Sequence, residues 1–408
     1  MEPKIRLKGF SAEWEETSLG KLSTNYKYGI NAAAIPYDGK NKYLRITDID
    51  ESTRVFSQDY LTSPGTNLSC CNDYLLEDGD ITFARTGASV GKSYIYHTSD
   101  GKVYFAGFLI RTRLNDCVDK DCVFYNTLTD QYAKYIRLVS QRSGQPGVNV
   151  EELKGYTFNL PFDKDEQKAL GVFFQHLDSL IQSTAKKIES LKQVKAASLQ
   201  SMFPQEGETV PRVRFKGFEG EWKQIVMSDV GYMTAGGTPS TFEDSYWNGD
   251  INWLQSGAVQ NNIILPSAVE RKITKEGLSN SAAHLVQKDS VLIAITGATC
   301  ANIGYLTFNS TANQSVVSVE PYRGFDSKFV YQSLMINRNQ ILSFKGGSAQ
   351  SGVTLSNLKK MSILCPDYQE QQKIGCFFFN IEEMIMQCMT RLEKLKQIKT
   401  ACLDNMFV

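Results

Sequence analysis

No run of eighteen apolar residues occurs in the chain, so the sequence offers no membrane-spanning helix. Residues 1–10 alternate charged with apolar side chains where a signal peptide would build an uninterrupted apolar core. A cytoplasmic protein is expected. Cysteine is present but unpatterned, with nine residues and no Cys-x-x-Cys spacing, which argues against a secreted disulfide framework and against a structural zinc site. Cys117 and Cys122 come nearest to ligand spacing, but histidine is limited to His97, His176 and His284, and no metal is expected. Net charge is missing too, since 44 basic residues balance 44 acidic ones. That counts against a free-standing nucleic-acid binder, whose non-specific affinity comes from neutralised phosphates. Local basic strips, or partners that supply the phosphate contacts, remain compatible with neutrality. Disorder-prone tracts are lacking, and 42% hydrophobic residues over 408 positions provide for two ordered domains of roughly 150 residues each plus connecting elements.

What is there is a repeat. The segment PKIRLKGF at residues 3–10, followed by Glu13 and Trp14, returns as PRVRFKGF at 211–218, followed by Glu221 and Trp222. Residues 43–46 fall opposite 253–256, the apolar run into residues 86–89 matches the run into 296–299, and residues 143–148 match 348–353. Residues 166–203 align without a gap on 370–407, with 15 identities in 38 positions. Matching is strong at both ends of the repeat and weak in its middle, the pattern of one scaffold carrying two different readers.

The closing segment of each copy reads as a long helix. Leu177, Ile181, Thr184, Ile188, Leu191, Val194, Ser198 and Met202 recur with alternating three-four spacing, as do Ile381, Ile385, Cys388, Leu392, Leu395, Ile398, Cys402 and Met406. This is a coiled-coil seam, and two such helices in one chain are each other's natural partners. Packing of each stripe on its own domain is the alternative. Asp163 with Glu166, and Asp367 with Glu370, just after Pro161 and Pro366, place acidic residues at the positive end of each helix dipole. Ahead of each helix, apolar β-branched runs at 80–84, 94–96 and 290–295 alternate with turn signals at 77–79 and 236–239. Helical stretches are expected near 123–138 and 329–342. Trp14 and Trp222 read as core anchors, and the Met-Phe pairs at 202–203 and 406–407 as helix-end packing.

Taken together, these motifs resemble the specificity subunits of type I restriction-modification enzymes. The resemblance rests on the Glu-Gln start of each closing helix (166–167, 370–371), the Gly-x-Phe-Phe steps at 171–174 and 375–378, and the Leu-Lys-Gln-x-Lys ends at 191–195 and 395–399. GGTPS at 236–240, YWNGDINW at 246–253 and QSG at 255–257 are similar to the opening of recognition domains in that family. The resemblance implies an α+β chain of two similar β-rich target-recognition domains, 1–158 and 204–366, each followed by a long helix, 159–203 and 367–408. The two helices would pair as an antiparallel coiled coil with pseudo-twofold symmetry. It further implies a non-catalytic protein that reads a bipartite DNA target with a non-specific spacer. Two methyltransferase subunits and motor-nuclease subunits would be its partners, with S-adenosylmethionine, ATP and magnesium bound by those partners. The middle of the first copy, residues 27–50, departs from the family's usual pattern.

The chain carries no Asn/Asp-Pro-Pro-Tyr/Phe methyltransferase motif. TGASVGKS at 86–93 ends like a phosphate loop, but Thr86 replaces the first glycine and the following residues read as strand where a helix is needed. Base reading favours Arg on guanine and Asn or Gln on adenine. The candidates are therefore Lys27, Tyr28, Arg45, Arg85, Ser89, Lys92, Arg142 and Gln145 in the first copy. In the second they are Thr238, Ser240, Gln255, Ser256, Thr299, Asn302, Lys345, Ser348 and Gln350. The residues expected to pair the helices are Leu177, Ile181, Ile188, Leu191, Ile381, Ile385, Leu392 and Leu395. An autonomous bipartite DNA-binding regulator and an enzyme using the phosphate-loop-like segment are the competing readings. Residues 164–203 would span roughly 60 Å as a helix, enough to separate two readers by one turn of DNA, about 34 Å. Four residues inserted near Ser198 would then lengthen the spacer.

Overall fold

The computed structural model describes residues 2–345 and 352–408, and the chain divides into two units, residues 1–186 with 389–408 and residues 187–388. Each division point falls inside a long helix. In the first unit an antiparallel sheet orders Ser23–Tyr28, Leu109–Leu114, Ile81–Ala84 and Ser93–Ile95. All four residues of Ile81–Ala84 are buried, so the sequence there is a solid apolar run and not an alternation. Lys42–Leu44 pairs in parallel with Val103–Phe105, and Trp14–Ser18 pairs antiparallel with Thr157–Pro161, clasping the two ends of the domain together.

The second unit uses the same plan. Its sheet runs Gly231–Ala235, Val316–Pro321, Val291–Ala294 and Ile303–Leu306, with Asn262–Ile264 added as a fifth, parallel strand. The clasp is Lys223–Val226 against Ser362–Cys365. Each expected single helix is two. Lys120–Asn126 and Asp130–Val139 separate where Thr129 caps the second, its Oγ1 accepting the Tyr132 amide at 3.3 Å. Ser327–Ile336 and Arg338–Ser343 separate at Asn337, whose Nδ2 donates to the Ser333 carbonyl at 2.8 Å.

The repeated motifs have a common physical purpose, which is to seat the long helices Lys164–Met202 and Tyr368–Met406. Glu166 is 1% exposed and accepts Arg6 Nε at 2.8 Å and Nη2 at 2.7 Å, while Glu370, fully buried, accepts Arg214 Nε and Nη2 at 2.7 Å each. Gln167 accepts from the Asp119 amide and donates to the Pro161 carbonyl, and Gln371 does the same between Asp326 and Pro366. Glycine follows because a Cβ at Gly171 would stand 2.7 Å from Asp119 Oδ1, and one at Gly375 would stand 2.4 Å from Asp326 Oδ1. Phe174 stacks on Phe407 at 5.6 Å between centroids, and Phe378 meets Phe203 at 5.9 Å. Trp14 packs edge-on to Phe407 and Trp222 edge-on to Phe203. In each unit, then, the start of one long helix lies against the end of the other, which makes the pairing antiparallel.

Along the seam, Leu177, Ile181, Ile188 and Ile381 are buried, and Leu191, Ile385, Leu392 and Leu395 are half-buried. The spacing misplaces one residue in each copy. Val194 is 50% and Ile398 48% exposed, because the inward position goes to the next residue, Lys195 or Lys399. Lys399 Nζ donates to Asp178 Oδ1 at 2.6 Å, and Asp178 Oδ2 accepts Tyr125 Oη at 2.9 Å. Lys195 bonds Glu382, which also accepts Gln332 Nε2 at 2.9 Å. A paired lysine fills the seam with its stem and neutralises a half-buried acid at its tip. Burial, with Asp178 beside it, pushes the Tyr125 hydroxyl pKa well above its ordinary value.

Candidate nucleic-acid interface

In the first unit, strand ends and loops from five stretches converge on one open cavity of about 560 Å³. Its floor follows from close backbone approach, since a Cβ at Gly29 would lie 2.2 Å from the Ala106 carbonyl oxygen. Arg45, Thr86, Ser89, Phe108 and Gln145 line it. Three of the expected readers, Arg45, Ser89 and Gln145, are therefore brought together. Beside them in sequence, Arg85 lies over the Tyr28 ring at 4.9 Å, where the cation holds the aromatic face of a side chain 40% exposed.

Other expected readers are tied to partners within the fold. Lys92 is 8% exposed, forms an ion pair with Glu51 at 2.6 Å and donates to the Ile49 carbonyl at 3.2 Å. Asn302, its counterpart in the second copy, donates Nδ2 to the Val259 carbonyl at 3.1 Å and accepts Arg338 Nη2 at 3.2 Å. Both side chains tie a loop to the neighbouring segment, and neither is held out for a ligand. Lys27 bonds Asp73 at 3.0 Å and lies 4.3 Å over Tyr74; Arg142 pairs with Glu152 and donates to its own loop's carbonyls at Val139 and Gln141. The phosphate-loop resemblance dissolves for a related reason. Amides that would cradle a phosphate are spent on backbone carbonyls, Val90 on Gly87 and Lys92 on Ser89 within the turn, Gly91 on Ala84 of the preceding strand and Gly87 on Pro146 of another loop.

In the second unit Gln255 is exposed at the N-cap of the 3-10 turn Ser256–Ala258, and Ser256 is half-buried beside it. Thr238 Oγ1 donates to Gln314 Oε1, and Ser240 Oγ accepts the Phe242 amide at 3.3 Å. The 236–240 loop is fixed by two tryptophans, Trp253 Nε1 donating to Gly237 O and Trp247 Nε1 to Ser240 O, each at 3.0 Å. Thr299 is half-buried, with its hydroxyl 3.4 Å from the Thr296 carbonyl, and Lys345 is exposed. Ser348 and Gln350 lie outside the described residues. Phe108 and Gln314 were not singled out from the sequence. Phe108, 62% exposed, hides inside the apolar run 103–110, and only the preceding Gly107 hints at a turn that expels it. No helix among the described residues is long and apolar enough to cross a membrane.

A tandem of β-rich units, each closed by a long helix that pairs with the other, is the architecture that the chain presents. The type I restriction modification DNA specificity domain matches residues 12–193 and again 219–399, and the chain belongs to that family. It is 27% identical over 194 residues to the MjaIX specificity subunit of Methanocaldococcus jannaschii and 26% over 166 residues to the EcoR124I/EcoR124II specificity subunit of Escherichia coli. Those alignments cover 46% and 39% of this chain, and the chain spans under half of those two curated relatives, 44% and 40%. Against the HindI specificity subunit of Haemophilus influenzae the identity is 19%, over 90% of this chain and 94% of the relative. The crystal structure of the type I S subunit from M. genitalium shares the fold with a TM-score of 0.71 at 16% identity, over 100% of this chain and 99% of that one.

Proposed function

We propose that this chain is the DNA-sequence-recognition subunit of a type I restriction-modification complex. It reads a bipartite target with a non-specific spacer, one half-site per recognition domain, and directs adenine methylation and restriction by partner subunits. The observation that carries this reading is the duplicated frame with different side chains at matched positions, Arg45 against Gln255 and Ser89 against Thr299. A scaffold repeated so closely at its clasps and helices, yet altered at its exposed loops, suits two readers of different sequence. Bases are read by hydrogen bonds from these loops in the major groove. Neutral overall charge fits a subunit whose partners supply most phosphate contacts. Two methyltransferase subunits, binding S-adenosylmethionine, and motor-nuclease subunits, binding ATP and magnesium, are the partners that this role requires.

The test is exchange of residues 1–158 for the corresponding domain of a relative, in cells that also express the methyltransferase partner. Methylated adenines mapped genome-wide should change in one half-site and keep the other. A change in both halves, or in neither, refutes independent reading. Tight, specific DNA binding by the purified chain alone would favour an autonomous regulator instead.

A further inference from the structure

Among the cations of the first unit, Arg45 is held in a particular way. Its Nε donates to Asp48 Oδ2 at 2.9 Å and its Nη2 to Asp48 Oδ1 at 2.7 Å, and the same carboxylate accepts the Arg45 backbone amide at 2.9 Å. Both residues belong to one 3-10 turn, Ile46–Asp48 with Arg45 as its N-cap, so the carboxylate cannot drift from the guanidinium it orients. Asp48 is 11% exposed and Arg45 35%. Asp48 thus occupies the edge formed by Nε and Nη2. The end of the fork, one N–H from each terminal nitrogen, is left without a protein partner among the described residues, on a side chain that lines the 560 Å³ cavity.

A phosphate accepts from a cation in many orientations, and a lysine or a swinging arginine serves it well. A fixed, planar pair of donors is needed for a partner with two coplanar acceptors, and in the major groove that partner is guanine, through O6 and N7. Pinning also lowers the rotamer entropy that a long side chain loses on binding. The second unit carries the same turn at the matched position, Ser256–Ala258 with Gln255 at the N-cap, but alanine stands where Asp48 does. The buttress accompanies arginine and is absent where a neutral amide replaces it, as expected if its purpose is to aim a guanidinium.

We infer that Arg45, aimed by Asp48, reads a guanine in the first half-site. This rests on the recognition role proposed above, and the domain exchange described there identifies the first half-site and fails separately if that role is wrong. The test uses the complex with its methyltransferase partner and duplexes in which each guanine of the first half-site, on either strand, is replaced singly by 7-deazaguanine. That base still pairs but lacks N7. Binding should fall about 5- to 100-fold at one guanine, the range of one well-made bidentate contact. The Arg45→Ala complex should show no further loss at that position, and its methylated sites in cells should accept other bases there while the second half-site stays intact. Asp48→Asn should relax the same position in part. A first half-site without guanine, tolerance of 7-deazaguanine at every position, or an unchanged methylation motif in Arg45→Ala overturns the inference. If Arg45→Ala does not assemble, Arg45→Lys, which keeps the charge and length but lacks the planar fork, takes its place in the same comparison.

Discussion

Replacing Lys399 by methionine removes the cation from a helix seam in which its partner, Asp178, is 16% exposed and Lys399 itself 11%. At 2.6 Å and an effective dielectric of about 20, the attraction between the two charges is roughly 6 kcal/mol. Desolvation of two ions, several kcal/mol each, takes back most of it, so the intact pair adds little net stability. The cost of losing one partner is another matter. Asp178 would keep only the Tyr125 hydroxyl, and about 2–4 kcal/mol of destabilisation is expected, somewhat under the range for a fully buried pair because water reaches both groups. Asp178→Asn, which keeps the shape and strands the ammonium, should cost about 1–3 kcal/mol. The double variant carries no charge and should lose far less than the sum, with a coupling energy of about 1.5–3 kcal/mol. Calorimetry or denaturant melts of the purified chain measure each corner. The transition that moves should be the first unit's, since Lys399, Asp178 and Tyr125 all belong to it, while Lys195→Met moves the other. Penalties that add to within about 0.5 kcal/mol would refute the argument that these lysines are seam partners and not surface charges that happen to point inward.

Two further outcomes follow from the way the helices are seated. Gly171→Ala and Gly375→Ala should each cost at least about 2 kcal/mol, because the new methyl meets a capping aspartate held by its own helix, whereas Gly144→Ala, with nothing within 4 Å, should change the melting temperature little. Four residues inserted near Ser198 would displace Met202 and Phe203 from the second unit's core, where Phe203 stacks on Phe329 at 5.6 Å, so the neutral place to lengthen the helices is the division point within each. Paired four-residue insertions after Lys186 and Cys388 add about 6 Å and one turn to both helices. Methylome mapping should show the same two half-sites with a longer spacer, and an unchanged spacer would mean that the helices do not set the distance.

The duplication, the long helices and the strands at residues 81–84 and 291–294 were legible because periodicity and self-similarity record burial directly. Breaks at Thr129 and Asn337 were not, since a capping side chain outweighs a continuous apolar stripe only when the neighbouring segment turns away. The seam misplaced Val194 and Ile398 for a comparable reason: hydrophobic spacing cannot register a lysine whose charge is matched from another element. The surroundings of the candidate reading residues were the least legible. Lys92 and Arg45 look equivalent as cations in polar loops, and what separates them is partner geometry, Glu51 and a backbone carbonyl for one, an aspartate that leaves the fork's end open for the other.

The closing turns of each long helix have a bearing on how the chain is made. Leu403, Met406 and Phe407 belong to the core that also contains Trp14, Phe83 and Phe174, and the Ile5 amide donates to the Asn405 carbonyl at 2.9 Å. During synthesis the first unit therefore lacks part of its interior until residues 389–408 leave the ribosome, while the second unit, residues 187–388, already holds all of its own. At about 5–20 residues per second, the intervening two hundred residues amount to roughly 10–40 seconds in which an unfinished apolar surface stays open. The usual vectorial order is inverted: the second unit has all of its own residues before the first, begun earlier, receives residues 389–408.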